Sequence, residues 1–404
     1  MWSEVARARV PGPLAPFAGG FRAELDRLGY RLNSRESKVN EMSRLSRWLE
    51  GRGLGVGDLD DVVAREFLAD LGMGRRKQPT LMALGPLMGW LRGEGVINGP
   101  AAPRRGPADE LLDGYRWWMV TERGLAGRTI GRYEQTARQF LGGRARAAGG
   151  GTGAEGLDAA AVTGFLLAEA RRGLSPGSLR GRVAELRSLL RYLYLAGVTG
   201  CPLAAAVPPV PGWKDTAVPA RLGPQQVRAL LDGCDRATAC GQRDLAMLLL
   251  MARLGLRAAE VAGLRLADFD WRAGELTVAG KGRRSDRMPL PADVGEAVAG
   301  YLLGARPRGA GPAAFVTLLA PCRPLVPTGV SEMVRRRCEQ AGLGPARAHR
   351  LRHALATDLL SRGFTLPEIG QVLRHRDLAT TAVYAKVDHA ALRTLALPWP
   401  AGAR

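Results

Sequence analysis

The sequence predicts a mainly α fold with one small antiparallel β-sheet. Three observations carry that expectation. Apolar residues recur at three- and four-residue steps over most of the chain, as in Val39, Met42, Leu45, Trp48 and Leu49. A single pair of short runs, Glu275–Ala279 and Arg287–Leu290, flanks a Gly-Lys-Gly tip and reads as a hairpin. Two Pro/Gly-rich breaks, at 99–107 and 207–219, divide the chain into three stretches.

Taken in order, residues 1–20 are rich in Pro and Gly and are expected to be a flexible arm. A helical domain follows over 21–101, with helices through Val39–Leu49, Val62–Leu71 and Leu81–Leu91. A second helical domain spans 110–206 and echoes the first. Gly29-Tyr30 matches Gly114-Tyr115, and Trp48-Leu49 matches Phe140-Leu141. Leu59-Asp60 with Phe67-Leu68 matches Leu157-Asp158 with Phe165-Leu166, and Trp90-Leu91 through Gly95-Val96 matches Tyr192-Leu193 through Gly197-Val198. Longer loops in the second copy, such as Arg144–Gly156, would explain the growing offset. The bland alternative is two unrelated units that share only amphipathic spacing. The last domain, 221–404, opens on a helix at Gly223-Pro224 and continues with helices over Arg243–Leu256 and Ala258–Leu264. The hairpin comes next, then mostly helix to about Leu395.

Composition narrows the function classes. A net charge of +20 favours a polyanionic partner, and nucleic acid is the default one. Only five of the 58 basic residues are lysines, a bias that a GC-rich genome would produce, but the excess over 38 acidic residues is not explained that way. No apolar run approaches the roughly 20 residues of a membrane span. The longest, Ala246–Ala252, reads as a buried helix, and the N-terminus has no signal-peptide pattern. Five cysteines without CxxC spacing argue against structural disulfides and a cysteine zinc site, so a reducing cytoplasm is expected.

The chemistry concentrates near the C-terminus. The chain has four histidines, and three of them (349, 353 and 375) share a short window with Arg352 and Tyr384. With Arg257 and Lys281 upstream, the set reads as a cationic cradle for one phosphate and a phenol placed to attack it. Arg257 and Glu260 are three apart, so the carboxylate can hold a guanidinium whose planar fork suits phosphate. Lys281, between two glycines at a hairpin tip, can approach another backbone and donate a proton to a leaving oxygen. His349 and Arg352 share one helix face. A tyrosine with an ordinary pKa of roughly 10 needs nearby cations or a base to act as a nucleophile, and this set supplies both. Each feature alone has a bland reading: a surface ion pair, a solvated turn, a core tyrosine. The His349/His353 spacing also admits zinc, but Arg352 would repel a dication and no HExxH carboxylate follows.

In their order and intervals, Leu-Gly-Leu-Arg257-x-x-Glu260, Gly-Lys281-Gly, His349-x-Leu-Arg352-His353 and His375 ahead of Thr-Thr-x-x-Tyr384 resemble the tyrosine recombinases. This is the phage-integrase family of site-specific recombinases and transposases. The resemblance covers about 221–390, and 110–206 is similar to the family's helical core-binding (SAM-like) domain. It implies helical N-terminal DNA-binding domains joined to a DNA breaking-rejoining catalytic domain. Arg257, Arg352 and His375 would neutralise the scissile phosphate. Tyr384 would form a 3′-phosphotyrosyl link, Lys281 would protonate the 5′ oxygen, and His349 would move the tyrosine proton. It further implies no cofactor, metal or ATP, and double-stranded DNA at specific sites as partner. A tetramer on two DNA sites is implied, with accessory recombinases as further partners and a tail at Ala390–Leu397 that docks on a neighbour. No membrane is involved, and the expected location is cytoplasmic, on the nucleoid when DNA-bound. A type IB topoisomerase-like enzyme and a silent DNA-binding protein of the same fold are the alternatives. Two departures stand out. Arg374 occupies a position where the family usually has Gly, so a turn with positive φ would be strained there. Residues 21–101 are an addition to minimal members, suited to arm-type sites or a longer DNA clamp.

Overall fold

The computed structural model describes residues 9–72, 81–99, 105–210, 222–280, 285–374 and 381. The chain divides into two compact units, residues 1–100 with 217–404, and residues 101–216. Residues 10–97 nonetheless keep an apolar core separate from that of 222–354.

The first helical run contains α1 (Ala18–Arg27), α2 (Leu32–Gly51), α3 (Asp61–Gly72) and α4 (Leu81–Gly93). Their apolar stripes close on Phe21, Leu25, Met42, Leu45, Leu49, Phe67 and Leu91. Residues 9–20 depart from the expected flexible arm. A 3-10 turn over Gly12–Phe17 buries Leu14, and Val10 is buried just before it. Ser46 of α2 donates to the Pro11 carbonyl and accepts from the Leu14 amide at 2.9 Å. Prolines 11, 13 and 16 restrict the backbone in advance, so two apolar side chains suffice to hold the segment down.

The second run contains α5 (Pro107–Thr121), α6 (Gly127–Ala147), α7 (Ala159–Arg171) and α8 (Pro176–Leu195). Its core includes Tyr115, Met119, Phe140, Leu141, Val162, Leu186 and Leu193. The two runs share specific contacts as well as helix order. Trp48–Phe67 is an edge-on ring pair at 5.7 Å and 69°, and Phe140–Phe165 is one at 5.1 Å and 68°. Asp60 caps α3 through the Val63 amide at 2.8 Å, and Asp158 caps α7 through the Ala161 amide at 2.8 Å. After α4 and α8 the chain turns at Gly95 (φ 69°) and Gly197 (φ 70°), where the next amide returns to Leu91 and Leu193 respectively, each at 2.9 Å.

One expected correspondence changes. Gly29-Tyr30 follows α1 in a left-handed turn, whereas Gly114-Tyr115 lies inside α5. The counterpart of Gly114-Tyr115 is Gly20-Phe21. A methyl group on Gly20 would come within 2.7 Å of the Trp90 ring, and one on Gly114 within 2.2 Å of the Tyr192 hydroxyl. The adjoining rings pair alike, Phe21–Trp90 at 5.6 Å and 38°, Tyr115–Tyr192 at 5.3 Å and 38°.

The C-terminal run begins with α9 (Pro224–Asp232), α10 (Ala239–Leu254) and α11 (Ala258–Gly263). Every residue from Leu245 to Ala252 is buried, so α10 is the axis of this core and needs no polar face. Strands β1 (Phe269–Asp270), β2 (Glu275–Ala279) and β3 (Ser285–Pro289) form an antiparallel sheet in that order. The hairpin register pairs Ala279 with Ser285 and Glu275 with Pro289. At two residues, β1 is too short to leave an alternating pattern. Helices α12 (Ala292–Gly300), α13 (Pro327–Gln340), α14 (His349–Ser361) and α15 (Leu366–Val372) complete the described fold. No described helix is long and apolar enough to cross a membrane.

Candidate active site

The site begins where α10 ends. Gly255 caps α10 with φ 62°, and a methyl there would meet Leu373 Cδ2 at 2.7 Å. Glycine therefore serves both the left-handed turn and the close approach. The reversal makes Arg257 the N-cap of α11, with Glu260 in its first turn. Glu260 Oε2 accepts the Arg257 amide at 2.8 Å, and Oε1 accepts the Arg257 guanidinium at 2.7 Å. Burial pushes the Glu260 carboxyl up, but the Arg257 amide and the guanidinia of Arg374 and Arg257 outweigh it and hold it below the usual carboxylate range. The Arg257 side chain keeps 39% of its surface exposed, so donors remain for an incoming phosphate.

Arg352 is 1% exposed and comes from the buried face of α14. It donates to the carbonyls of Gly255 and Leu373, tying the end of α10 to the end of α15. His349 opens α14 and is exposed on one side. Burial of the rest of its ring, together with Arg352 and Arg257, pushes its pKa below 6.5. The field of both arginines thus reaches His349, and the neutral imidazole it favours can accept a proton.

His353 packs edge-on against His349, with ring centroids 4.8 Å apart. Its pKa is pushed down to about 4 by burial, then by His349 and Arg352. Between about 4 and 6.5 the unfolded chain binds this proton and the folded chain does not, so stability declines as pH falls through that window. Urea denaturation across the window should show the decline, and His353→Gln should make it shallower, the rest belonging to His349, whose pKa is also lowered. An unchanged pH dependence in that variant would reject a neutral, enclosed His353.

Of the six residues singled out from the sequence, the described structure brings together Arg257, His349 and Arg352. Lys281, His375 and Tyr384 lie outside the described residues. Arg374 was legible in sequence only as a departure from glycine. Its φ is 54°, and among the described residues no other non-glycine has a positive φ. What sequence reasoning missed is its side chain, which donates to Glu260 Oε2 at 2.8 Å. An arginine in a position that favours glycine was the available signal.

Known proteins share this arrangement of sequence. Residues 220–391 match the model of the phage integrase family. A relative in Sinorhizobium fredii, provisionally named integrase/recombinase y4rA, is 39% identical over 100% of this chain and 98% of its own length. The chain belongs to the phage integrase family. It is an enzyme of the tyrosine recombinase class, mainly helical with a small antiparallel sheet. Tyrosine recombinase XerD of Xanthomonas axonopodis pv. citri is 34% identical over 71% of this integrase-family chain and 94% of its own. Among solved structures, a lambda integrase tetramer bound to a Holliday junction is similar in fold, with TM-score 0.52 and 16% identity. That match covers 82% of this chain and 88% of lambda integrase. The y4rA match extends over the first helical run, so that run is shared with a relative.

Proposed function

We propose that this enzyme cleaves and rejoins DNA at specific sites through a 3′-phosphotyrosyl link to Tyr384, without metal or nucleotide. The supporting observation is the convergence of Arg257 and Arg352 on the turn at Gly255, with His349, its pKa lowered by burial and by both arginines, beside them. Two guanidinia supply the charge that a pentacoordinate phosphate develops. In this reading phosphate meets the exposed Arg257 first and the enclosed Arg352 second. Neutral His349 accepts the Tyr384 proton, His375 donates to a phosphate oxygen, and Lys281 protonates the departing 5′ oxygen. One phosphoester is exchanged for another, so religation needs no external energy source. The net charge of +20 favours the DNA partner. Four protomers on two DNA sites is the assembly proposed; lambda integrase has been seen as a tetramer bound to a Holliday junction.

The test is a nicked suicide duplex incubated with enzyme in EDTA without nucleotide. A protein–DNA adduct stable in denaturant is the expected product. Dependence of the adduct on Mg²⁺ or ATP would reject the reading. A silent DNA-binding protein of this fold would form none.

We also infer that residues 10–99 are a second copy of the helical unit at 107–207, serving to lengthen the grip on DNA. The matched ring pairs, caps and terminal turns support the duplication. Among the described residues of the first copy, several basic side chains are engaged with carboxylates, among them Arg35, Arg52 and Arg92. Arg44 and Arg47 of α2 are exposed and have no carboxylate partner among the described residues. Neutralising both should shorten the DNA footprint and lower the salt slope of binding by about 2. Unchanged footprint and slope would remove the first copy from the DNA interface.

A further inference from the structure

Arg374 holds a backbone conformation that L side chains rarely adopt, with φ at 54°. Its amide completes the turn by donating to Gln371 O at 2.9 Å. The side chain folds inward to 11% exposure and meets Glu260, itself 10% exposed, at 2.8 Å. Its other terminal nitrogen lies 3.4 Å from Met288 Sδ on β3. One residue earlier, the Leu373 carbonyl accepts from Arg352. A two-residue turn therefore engages both site arginines, Arg352 through a carbonyl and Arg257 through the shared carboxylate of Glu260. An exposed ion pair would be worth little, but this one is enclosed on both sides.

We propose that Arg374 is a positioning residue that couples the turn ahead of His375 to Arg257, so that the phosphate-holding groups are set as one piece. The side chain compensates for the glycine it replaces by tying α11, β3 and the end of α15 together. This rests on the phosphotyrosyl reading above. Misplacing a phosphate-holding group by an ångström can cost roughly 100-fold in rate.

The experiment measures single-turnover cleavage of a suicide duplex and, separately, DNA affinity. Arg374→Gly gives the turn the residue its φ favours, so the fold should be retained. Affinity should stay at the wild-type value while cleavage slows roughly 10- to 100-fold. Arg374→Lys keeps the charge without the fork and should recover part of the rate. In a Glu260→Gln background the coupling is already cut, so adding Arg374→Gly should slow cleavage by less than about threefold. Wild-type cleavage rates in Arg374→Gly, or fully multiplicative losses in the double variant, would overturn the coupling. Absence of a wild-type adduct rejects the phosphotyrosyl reading and this inference with it. A wild-type adduct beside a fast Arg374→Gly rejects this inference alone.

Discussion

Replacing Arg352 with lysine should both weaken the fold and bring DNA cleavage close to background. The guanidinium is 1% exposed and spans two buried carbonyls, at Gly255 and Leu373. A lysine has a single ammonium at the end of a flexible stem and cannot reproduce a planar fork across both. Hydrogen bonds from a charged donor contribute roughly 1.5–3 kcal/mol each, and a buried acceptor left unpaired adds to the loss. With partial compensation by the lysine, a loss of about 2–4 kcal/mol is expected in urea denaturation. Cleavage should fall further than stability explains, by about 100- to 1,000-fold, since a donor aimed at developing charge is lost. Measuring single-turnover cleavage at a temperature where the variant is still folded separates the two effects. A variant within about 0.5 kcal/mol of wild type would show that the two carbonyls do not depend on Arg352. One that also cleaves within tenfold of wild type would remove Arg352 from the phosphate site.

The stability effect arises from the same contacts that organise the site, and these were only partly legible in sequence. Three-to-four spacing announced most helices, because burial of one stripe is local information. The Arg257/Glu260 pair was legible for the same reason, being one helical turn apart. His349 and Arg352 of α14 shared a face by spacing alone. Contacts across long separations were not legible. Glu260 and Arg374 are 114 positions apart, and nothing in their local sequence shows that they touch. Arg374 looked only like strain, whereas its side chain provides the partner that accompanies the strain. Residues 9–20 misled through composition, since proline and glycine suggest a loose segment until a core accepts Val10 and Leu14. The match of Gly29 to Gly114 paired like residues in unlike settings; the ring contacts at Gly20 and Gly114 correct it.

Tyr384 carries the central claim. Phenylalanine at this position keeps the ring and removes the one oxygen able to attack phosphate, so its expected effect exceeds that of any variant above. Arg257, Arg352 and His375 remain to hold the phosphate in this reading, so DNA binding should persist at the wild-type level. The direct measurement is digestion of the trapped adduct and mass mapping of the modified peptide, with Tyr384→Phe run in parallel. The expected result is a nucleotide mass on the peptide containing Tyr384 in the wild type, and no adduct at all from Tyr384→Phe. An adduct mapped to another residue, or one of equal yield from Tyr384→Phe, would contradict the account.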